Sequence, residues 1–295
     1  MKYVLTLIGN HITALRDEHV AAAIAQLPSP QAPVWLSRGM ACDIAFEAAD
    51  GKTVEAALRK ALSGIHIDLA VQPAEGRRKR LLVADMDSTI IQQECIDELA
   101  AELGLRQEIA GITERAMRGE IAFEPALRER VGLLKGLPLA SLEKVYRERI
   151  TETPGGRALV HTMREHGHAC ALVSGGFTYF TERVAHAVGF NTHQANRLIF
   201  VDGRLTGGVA EPILGREAKI EALVRLRDEL GLAHHETMAV GDGANDLGMI
   251  EEAGLGVALH AKPVVAEAAD ARIDHGDLTA LLYLQGYRQE EIADV

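Results

Sequence analysis

The sequence is poor in three features: cysteine, long hydrophobic runs and net positive charge. Its 295 residues include only three cysteines, too few and too scattered for a disulfide framework or a paired metal site, so we expect Cys42, Cys95 and Cys170 to be buried thiols. No run approaches the roughly 18 apolar residues of a membrane-spanning helix. Charged residues follow the first apolar stretch at once, so no signal peptide is expected. These absences predict a cytoplasmic protein.

The charge balance and the hydrophobic content narrow the class of protein further. The formal net charge is −11, and the resulting field disfavours a general affinity for nucleic acid or for an anionic membrane surface. A small anionic substrate would therefore need local positive charge. With 47% hydrophobic residues, the chain can bury a large core, and its length suits one large domain with an appendage or two domains.

Three regions differ in their sequence pattern. Residues 1–71 are typical of a small α+β unit. Their pattern predicts a strand at 3–8, a helix at 15–26, extended chain at 33–46, a helix at 54–62 and a strand at 65–71. Residues 72–80 are polar and end in four consecutive cations; we interpret them as a solvated linker, with nucleic-acid contact as the alternative. From residue 81, short apolar runs alternate with amphipathic helices, which predicts a Rossmann-like, doubly wound parallel sheet. Its predicted strands are residues 81–84, 169–173, 238–240 and 256–259.

A helical insertion interrupts this larger part. Residues 94–150 contain only helical periodicity, and we interpret them as a cap over a site, with residues 81–93 and 151–295 forming the core. Apolar positions predict three helices within the insertion. Further along the chain, Asp202 and Gly203 predict the tight turn of a β-hairpin, because both residues tolerate a positive φ.

Acidic residues follow two of the predicted strands. Asp85 and Asp87 come directly after residues 81–84, and alternate residues of an extended segment point the same way. Their mutual repulsion would be relieved by a hard cation such as Mg²⁺ or by an electrophilic phosphorus atom. Asp242 and Asp246 follow residues 238–240; Asp242 is placed to bind the same cation, and Asp246 to orient Asp242 or a metal-bound water. Taken alone, each motif also fits a simple acidic turn.

Two further features suit phosphate binding. Ser174, Gly175 and Gly176 follow the predicted strand at 169–173, where a hydroxyl and open backbone N–H groups can bind phosphate oxygens, although a plain helix-entry turn fits equally well. Lys219 lies in a helix with one apolar side, and a lysine on such a helix is usually exposed to solvent. A role of Lys219 in phosphate binding is therefore indicated only by its combination with the other motifs.

In chain order, these motifs resemble those of the haloacid dehalogenase superfamily over about residues 80–285. They are the Asp-Met-Asp-Ser-Thr segment at 85–89, the Ser-Gly-Gly segment at 174–176, Lys219 and the Gly-Asp-Gly-Ala-Asn-Asp segment at 241–246. The resemblance implies that Asp85 attacks phosphorus to form an aspartyl-phosphate and that Asp87 acts as general acid and then general base.

The same resemblance implies the remaining parts of the phosphoryl site. Mg²⁺ would be held by the side chains of Asp85 and Asp242 and by the backbone carbonyl of Asp87. The phosphoryl group would be held by Ser174, the Gly175 backbone and Lys219.

The helical insertion resembles the cap of the phosphoserine phosphatases within that superfamily. The segment at 123–134, Phe-Glu-Pro-Ala-Leu-Arg-Glu-Arg-Val-Gly-Leu-Leu, carries this resemblance. It implies that Glu94 binds the substrate ammonium and Arg130 the substrate carboxylate. Asn245 would assist binding, while Met117 and Phe123 would shield the closed site from water.

The implied reaction is Mg²⁺-dependent hydrolysis of O-phospho-L-serine, the last step of serine biosynthesis. Two alternatives are phosphotransfer from phosphoserine to another alcohol and an amino-acid sensor that has lost activity. The amino-terminal unit resembles the ferredoxin-like ACT fold only in its order of strands and helices. Serine binding, assembly into a homodimer and a purely structural role are the alternatives for this unit.

Overall fold

The structure is a computed structural model that describes residues 1–117 and 120–295, without the side chain of Met117. The predicted α/β class is confirmed: a small antiparallel unit precedes a larger part built on a parallel sheet. The three cysteines are buried and unpaired, as expected. Among the described residues, no helix combines the length and hydrophobicity that a bilayer crossing requires.

The amino-terminal unit has the ferredoxin-like order of strands and helices. Its antiparallel sheet has the strand order β2-β3-β1-β4. Leu5 and Leu7 of the first strand pack in one core with residues of both helices, because alternate side chains of a strand point to the same face. The elements are β1 Lys2–Ile8, α1 Asp17–Ile24, β2 Val34–Ser37, β3 Ala41–Glu47, α2 Gly51–Ala61 and β4 Asp68–Pro73.

Two sequence predictions for this unit need correction. The extended segment predicted at 33–46 is two strands, because the chain turns at Gly39, whose φ is +77°. The last strand is Asp68–Pro73 and therefore runs into the predicted linker.

The expectation that the cations at 77–80 are solvated is wrong for Arg77 and Lys79. An Arg77 guanidinium nitrogen lies 2.6 Å from an Asp43 carboxylate oxygen. Lys79 is 5% exposed, and its ammonium donates hydrogen bonds of 2.8 Å to the carbonyl oxygens of Gly76 and His235. These partners replace water, so the segment joins the two parts of the chain through buried polar contacts.

The larger part contains a six-stranded parallel sheet with the order β12-β11-β10-β5-β6-β7. Its strands are β5 Leu81–Ala84, β6 Ala169–Phe177, β7 Thr192–Asn196, β10 Thr237–Gly241, β11 Gly256–Leu259 and β12 Ala271–Ile273. The helices around it are α7 Gly156–Glu165, α8 Thr178–Val188, α9 Arg216–Glu229, α10 Leu247–Glu252, α11 Pro263–Ala268 and α12 Ala280–Leu284.

The central strand β5 explains why the sheet is covered on both faces. Leu81 and Val83 pack in one hydrophobic core, and Leu82 and Ala84 pack in another. From β5 the chain winds through β6 to β7 and then crosses back to β10 on the other side. The carboxyl ends of β5 and β10 therefore form a topological switch point, where open α/β sheets bind their ligands.

The helical insertion lies between β5 and α7. Its described residues form four helices rather than the predicted three: α3 Cys95–Ala101, α4 Arg106–Met117, α5 Phe123–Leu133 and α6 Leu139–Arg149. The predicted hairpin is confirmed as β8 Leu198–Val201 and β9 Arg204–Val209, with positive φ at Asp202 and Gly203. This hairpin contacts the insertion, since the Gly136 N–H donates a hydrogen bond of 2.7 Å to the Leu205 carbonyl.

Candidate active site

Asp85 lies at the end of the central strand, where the chain leaves the sheet in a tight turn over Met86–Ile90. Its backbone N–H donates a hydrogen bond of 3.0 Å to the Val240 carbonyl, which holds it beside β10. Within the turn, Ser88 has a φ of +56°, a conformation that few residues other than glycine adopt. The turn thus places Asp85 and Asp87 at the switch point, as the sequence predicts.

Lys219 is the cation at the centre of this site. Its ammonium lies 2.6 Å from an Asp85 oxygen and 2.5 Å from an Asp246 oxygen. The side chain is only 1% exposed, because α9 packs this face against the sheet. Burial disfavours the charge, but attraction by Asp246 and Asp85 outweighs it and raises the pKa of Lys219 above its ordinary value. Lys219 is therefore a buried ammonium.

Asp87 connects the turn to the carboxyl-terminal part of β6, which contains Ser174 and Gly176. One of its carboxylate oxygens accepts a hydrogen bond of 2.8 Å from the Cys95 N–H, and the other accepts one of 3.3 Å from the Ser174 hydroxyl. A Cβ atom on Gly176 would stand 2.7 Å from this second oxygen, so only glycine at this position leaves room for the Asp87 carboxylate beside Ser174. Burial, followed by the charge of Glu94, raises the pKa of Asp87 to about 6.

Asp242 completes an acidic cluster. One carboxylate oxygen from each of Asp85, Asp242 and Asp246 lies within 4.8 Å of the other two. Burial and the charge of Asp246 raise the pKa of Asp242 to about 7, and the same two causes raise that of Asp85 well above its usual range. The cluster therefore has more negative charge than Lys219 offsets. Hard oxygen ligands with excess negative charge fit a divalent cation such as Mg²⁺.

The two residues predicted to bind the amino-acid part of the substrate lie near each other. Glu94 precedes α3 and accepts a hydrogen bond of 2.7 Å from the Ser88 hydroxyl. The Arg130 guanidinium donates to the Ala126 carbonyl and, at 3.3 Å, to the Thr113 hydroxyl. Burial lowers the pKa of Arg130, and the charge of Glu94 is the largest opposing influence. Glu94 and Arg130 thus interact electrostatically.

The insertion contacts the core directly through Phe123. A Cβ atom added to Gly175 or to Gly215 would stand 3.2 Å from the Phe123 ring. Asn245 is partly buried and lies against Gly243. The side chain of Met117 lies outside the described residues. The other predicted site residues converge on the switch point.

Sequence reasoning missed two contacts. Thr113 binds Arg130 from α4, a helix that was not predicted. Asp246 was expected to orient Asp242 or a metal-bound water, and its carboxylate accepts hydrogen bonds from the Lys219 ammonium and the Gly243 N–H. A threonine in an amphipathic helix carries no signal for the first contact; the second depends on the packing of α9.

An acidic cluster around a buried lysine, at the switch point of a doubly wound sheet and beside a helical insertion, defines an enzyme of the doubly wound α/β class. Residues 82–251 match the model of the haloacid dehalogenase-like hydrolase family, and the chain belongs to this family.

Three similar proteins extend this comparison. A phosphoserine phosphatase of Streptomyces coelicolor is 39% identical over 294 residues, which cover 98% of this chain and 72% of that protein. The crystal structure of a HAD-family hydrolase from Salmonella enterica serovar Typhi has a TM-score of 0.85 at 30% identity and covers 96% of this chain and 98% of its own. A structure described as a phospho-aspartyl intermediate analogue of phosphoserine phosphatase has a TM-score of 0.65 at 42% identity. The match covers 70% of this chain and 98% of that one.

Proposed function

We propose that this chain hydrolyses phosphoserine with Mg²⁺ through an aspartyl-phosphate on Asp85, as in the last step of serine biosynthesis. The observation that carries the proposal is the contact of Asp85 with the buried Lys219 beside the acidic cluster. The names of the similar phosphatases, one of them a phospho-aspartyl analogue, support the substrate and the intermediate.

In the first step, an Asp85 oxygen bonds to phosphorus while the bond from phosphorus to the seryl oxygen breaks. Asp87 gives its proton to the departing oxygen; a pKa near 6 leaves part of this carboxyl protonated close to neutral pH. In the second step Asp87 takes a proton from water, the water oxygen bonds to phosphorus, and the bond to Asp85 breaks.

Charge on the phosphoryl group would be balanced by groups from α9 and from the carboxyl-terminal part of β6. The Lys219 ammonium, the Ser174 hydroxyl and the Gly175 N–H would hold the phosphoryl oxygens as they gain negative charge. Held by the Asp85 and Asp242 side chains and the Asp87 carbonyl, Mg²⁺ would offset negative charge and polarise the phosphoryl group.

Substrate choice is assigned to the insertion. Phosphoserine carries an ammonium and a carboxylate besides its phosphate, and Glu94 and Arg130 supply the complementary charges. Phe123, seated against Gly175, would exclude water and so strengthen these interactions.

The test compares Arg130→Ala with Arg128→Ala. Arg128 lies on the same helix and forms an exposed ion pair with Glu124, so it controls for the loss of a cation. For phosphoserine, kcat/KM of the Arg130 variant should fall about 10- to 100-fold, the value of a charge-assisted hydrogen bond. Hydrolysis of p-nitrophenyl phosphate, which lacks a carboxylate, should stay within about threefold of wild type on the same reasoning.

Three results would count against the proposal. Equal losses on both substrates would remove Arg130 from carboxylate recognition. Phosphate release that persists after chelation of Mg²⁺ would show that the reaction does not require the cation. Serine formation without matching free phosphate, in the presence of alcohols, would favour phosphotransfer over hydrolysis.

A further inference from the structure

Asn196 joins two segments of the site through its side-chain amide. It is the last residue of β7 and is 1% exposed. Its Nδ2 donates hydrogen bonds of 2.9 Å to the Gly175 carbonyl and 3.0 Å to the Leu214 carbonyl. Its Oδ1 accepts one of 2.8 Å from the Leu214 N–H. Both hydrogens and one acceptor site of the amide are therefore committed to backbone.

The two segments that Asn196 joins both carry groups of the phosphoryl site. Gly175 follows Ser174, whose hydroxyl contacts Asp87. Leu214 lies two residues before the start of α9, the helix that presents Lys219 to Asp85. Through Asn196, the backbone next to Ser174 and the backbone leading to Lys219 are fixed to one buried amide.

The packing of Phe123 against the core depends on the distance between the same two segments. The Phe123 ring packs against Gly175 on one segment and Gly215 on the other, with 3.2 Å to a Cβ built on either. A change in the separation of these segments would alter both the placement of Lys219 relative to Ser174 and the contact of the insertion.

We propose that Asn196 is a positioning residue for phosphoryl transfer, which sets the spacing between the Ser174–Gly176 segment of β6 and Lys219. The inference rests on the proposed function. Asn196 would not touch the substrate; it acts through the two backbone segments. Aspartate at this position keeps the shape and the acceptor for the Leu214 N–H, but it lacks the two N–H donors and directs negative charge at two carbonyl oxygens.

The test uses Asn196→Asp, with Asn191→Asp as the matched control. Asn191 lies five positions earlier and uses its side-chain oxygen to accept a hydrogen bond from the Cys170 N–H, a role that aspartate preserves. Since a displacement of about 1 Å in a catalytic group can lower the rate about 100-fold, we expect kcat of the Asn196 variant to fall about 10- to 100-fold. The control should retain wild-type kinetics.

Two readouts separate positioning from a structural role. The loss should be equal for phosphoserine and p-nitrophenyl phosphate and should lie mainly in kcat, because the phosphoryl site is common to both. The loss should also exceed any decrease in folded protein measured by circular dichroism. Asn196→Ser, which removes the amide without adding charge, should show the same pattern.

The proposal is overturned if either folded variant keeps wild-type kcat, if the loss falls on phosphoserine alone, or if neither variant yields folded protein, since that outcome assigns Asn196 to stability. Failure of the proposed function has a different signature: the wild-type chain would then turn over p-nitrophenyl phosphate but not phosphoserine, and Asn196 is still tested on the aryl phosphate.

Discussion

At the scale of single residues, the acidic cluster of Asp85, Asp242 and Asp246 is partly neutralised by the buried Lys219. Lys219 contacts Asp85 and Asp246, both buried with it. Removing one partner of a buried ion pair leaves uncompensated charge, which is why such a change destabilises a protein far more than the loss of a surface pair. We therefore expect Lys219 to contribute to stability as well as to the proposed chemistry.

Replacing Lys219 with methionine should lower the free energy of unfolding by about 3–5 kcal/mol in the absence of Mg²⁺ and should abolish measurable turnover. Saturating Mg²⁺ should raise the melting temperature of this variant more than that of wild type, because the cation then has no ammonium competing for the same carboxylates. Calorimetry with and without MgCl₂ measures both effects.

The control for this prediction is Arg225→Met. Arg225 lies on the same helix in an exposed ion pair with Glu229, and such pairs contribute about 0–1 kcal/mol. Two results would contradict this prediction: equal melting curves for the Lys219 variant and wild type without Mg²⁺, or equal shifts in melting temperature when Mg²⁺ is added. Either would show that Lys219 does not offset the charge of Asp85 and Asp246.

The acidic residues could be predicted from sequence because strand-end position and chemical type are local properties. Asp85 directly follows an apolar run, Asp87 lies two residues further on, and Asp242 follows another apolar run after one glycine. The burial of Lys219 could not be predicted, since the apolar side of α9 gives no information about which residues at its margin face the sheet. Nor could the hydrogen bond from Thr113 to Arg130, which joins two helices.

At the scale of elements, the insertion meets the core through α5. Phe123 begins this helix and is seated between Gly175 and Gly215. The ring is partly buried, so we expect its removal to affect the exclusion of water from the site more than the stability of the core.

The Phe123→Ala change should therefore lower kcat/KM for phosphoserine by about 10- to 100-fold through loss of water exclusion. It should also increase the fraction of phosphoryl groups transferred to an added alcohol such as ethylene glycol. Product analysis by phosphorus NMR measures both quantities. Leu139→Ala, at an exposed position that begins α6, is the control; an identical response of both variants would contradict the role of the Phe123 ring.

Elements were predicted well where their sequences are apolar and poorly where they are not. The four predicted strands of the parallel sheet are all present. The edge strand β7 was missed because its sequence, Thr-His-Gln-Ala-Asn, is polar, and β12 was missed because it has only three residues. The hairpin was predicted from Asp202 and Gly203, but its contact with the insertion depends on packing between distant parts of the chain.

At the scale of the whole molecule, the amino-terminal unit is joined to the larger part by buried polar groups. The Asp68 carboxylate accepts hydrogen bonds from the backbone N–H groups of Asp274, His275 and Gly276, at 2.7 to 3.2 Å. These lie in the loop after β12. Burial raises the pKa of Asp68, and the three N–H groups oppose this shift.

Replacing Asp68 with alanine should lower the free energy of unfolding by about 3 kcal/mol, because several buried N–H groups lose their acceptor at about 1–3 kcal/mol each with partial relaxation. Asp50→Ala, an exposed helix-cap change in the same unit, should cost clearly less, because water can replace the lost acceptor. Urea unfolding measures the difference, and hydrogen exchange should show faster exchange at residues 274–276 in the Asp68 variant alone. Equal costs for the two changes would contradict this account of the junction.

The way the two parts join could not be predicted from the sequence. Four consecutive cations in an acidic chain indicate a solvated segment on composition alone. Arg77 and Lys79 instead find partners that are distant in sequence, such as Asp43 and His235. Such long-range pairing is a property of the folded chain.

The most direct measurement of the central claim is to trap the covalent intermediate. Wild-type protein turning over phosphoserine with Mg²⁺ is quenched rapidly in acid and reduced with borohydride, which converts an acyl phosphate to an alcohol that peptide mass spectrometry can locate. We predict reduction at Asp85 and none in Asp85→Asn, which should fold normally and release no phosphate. Reduction at another residue, or undiminished phosphate release by Asp85→Asn, would contradict it.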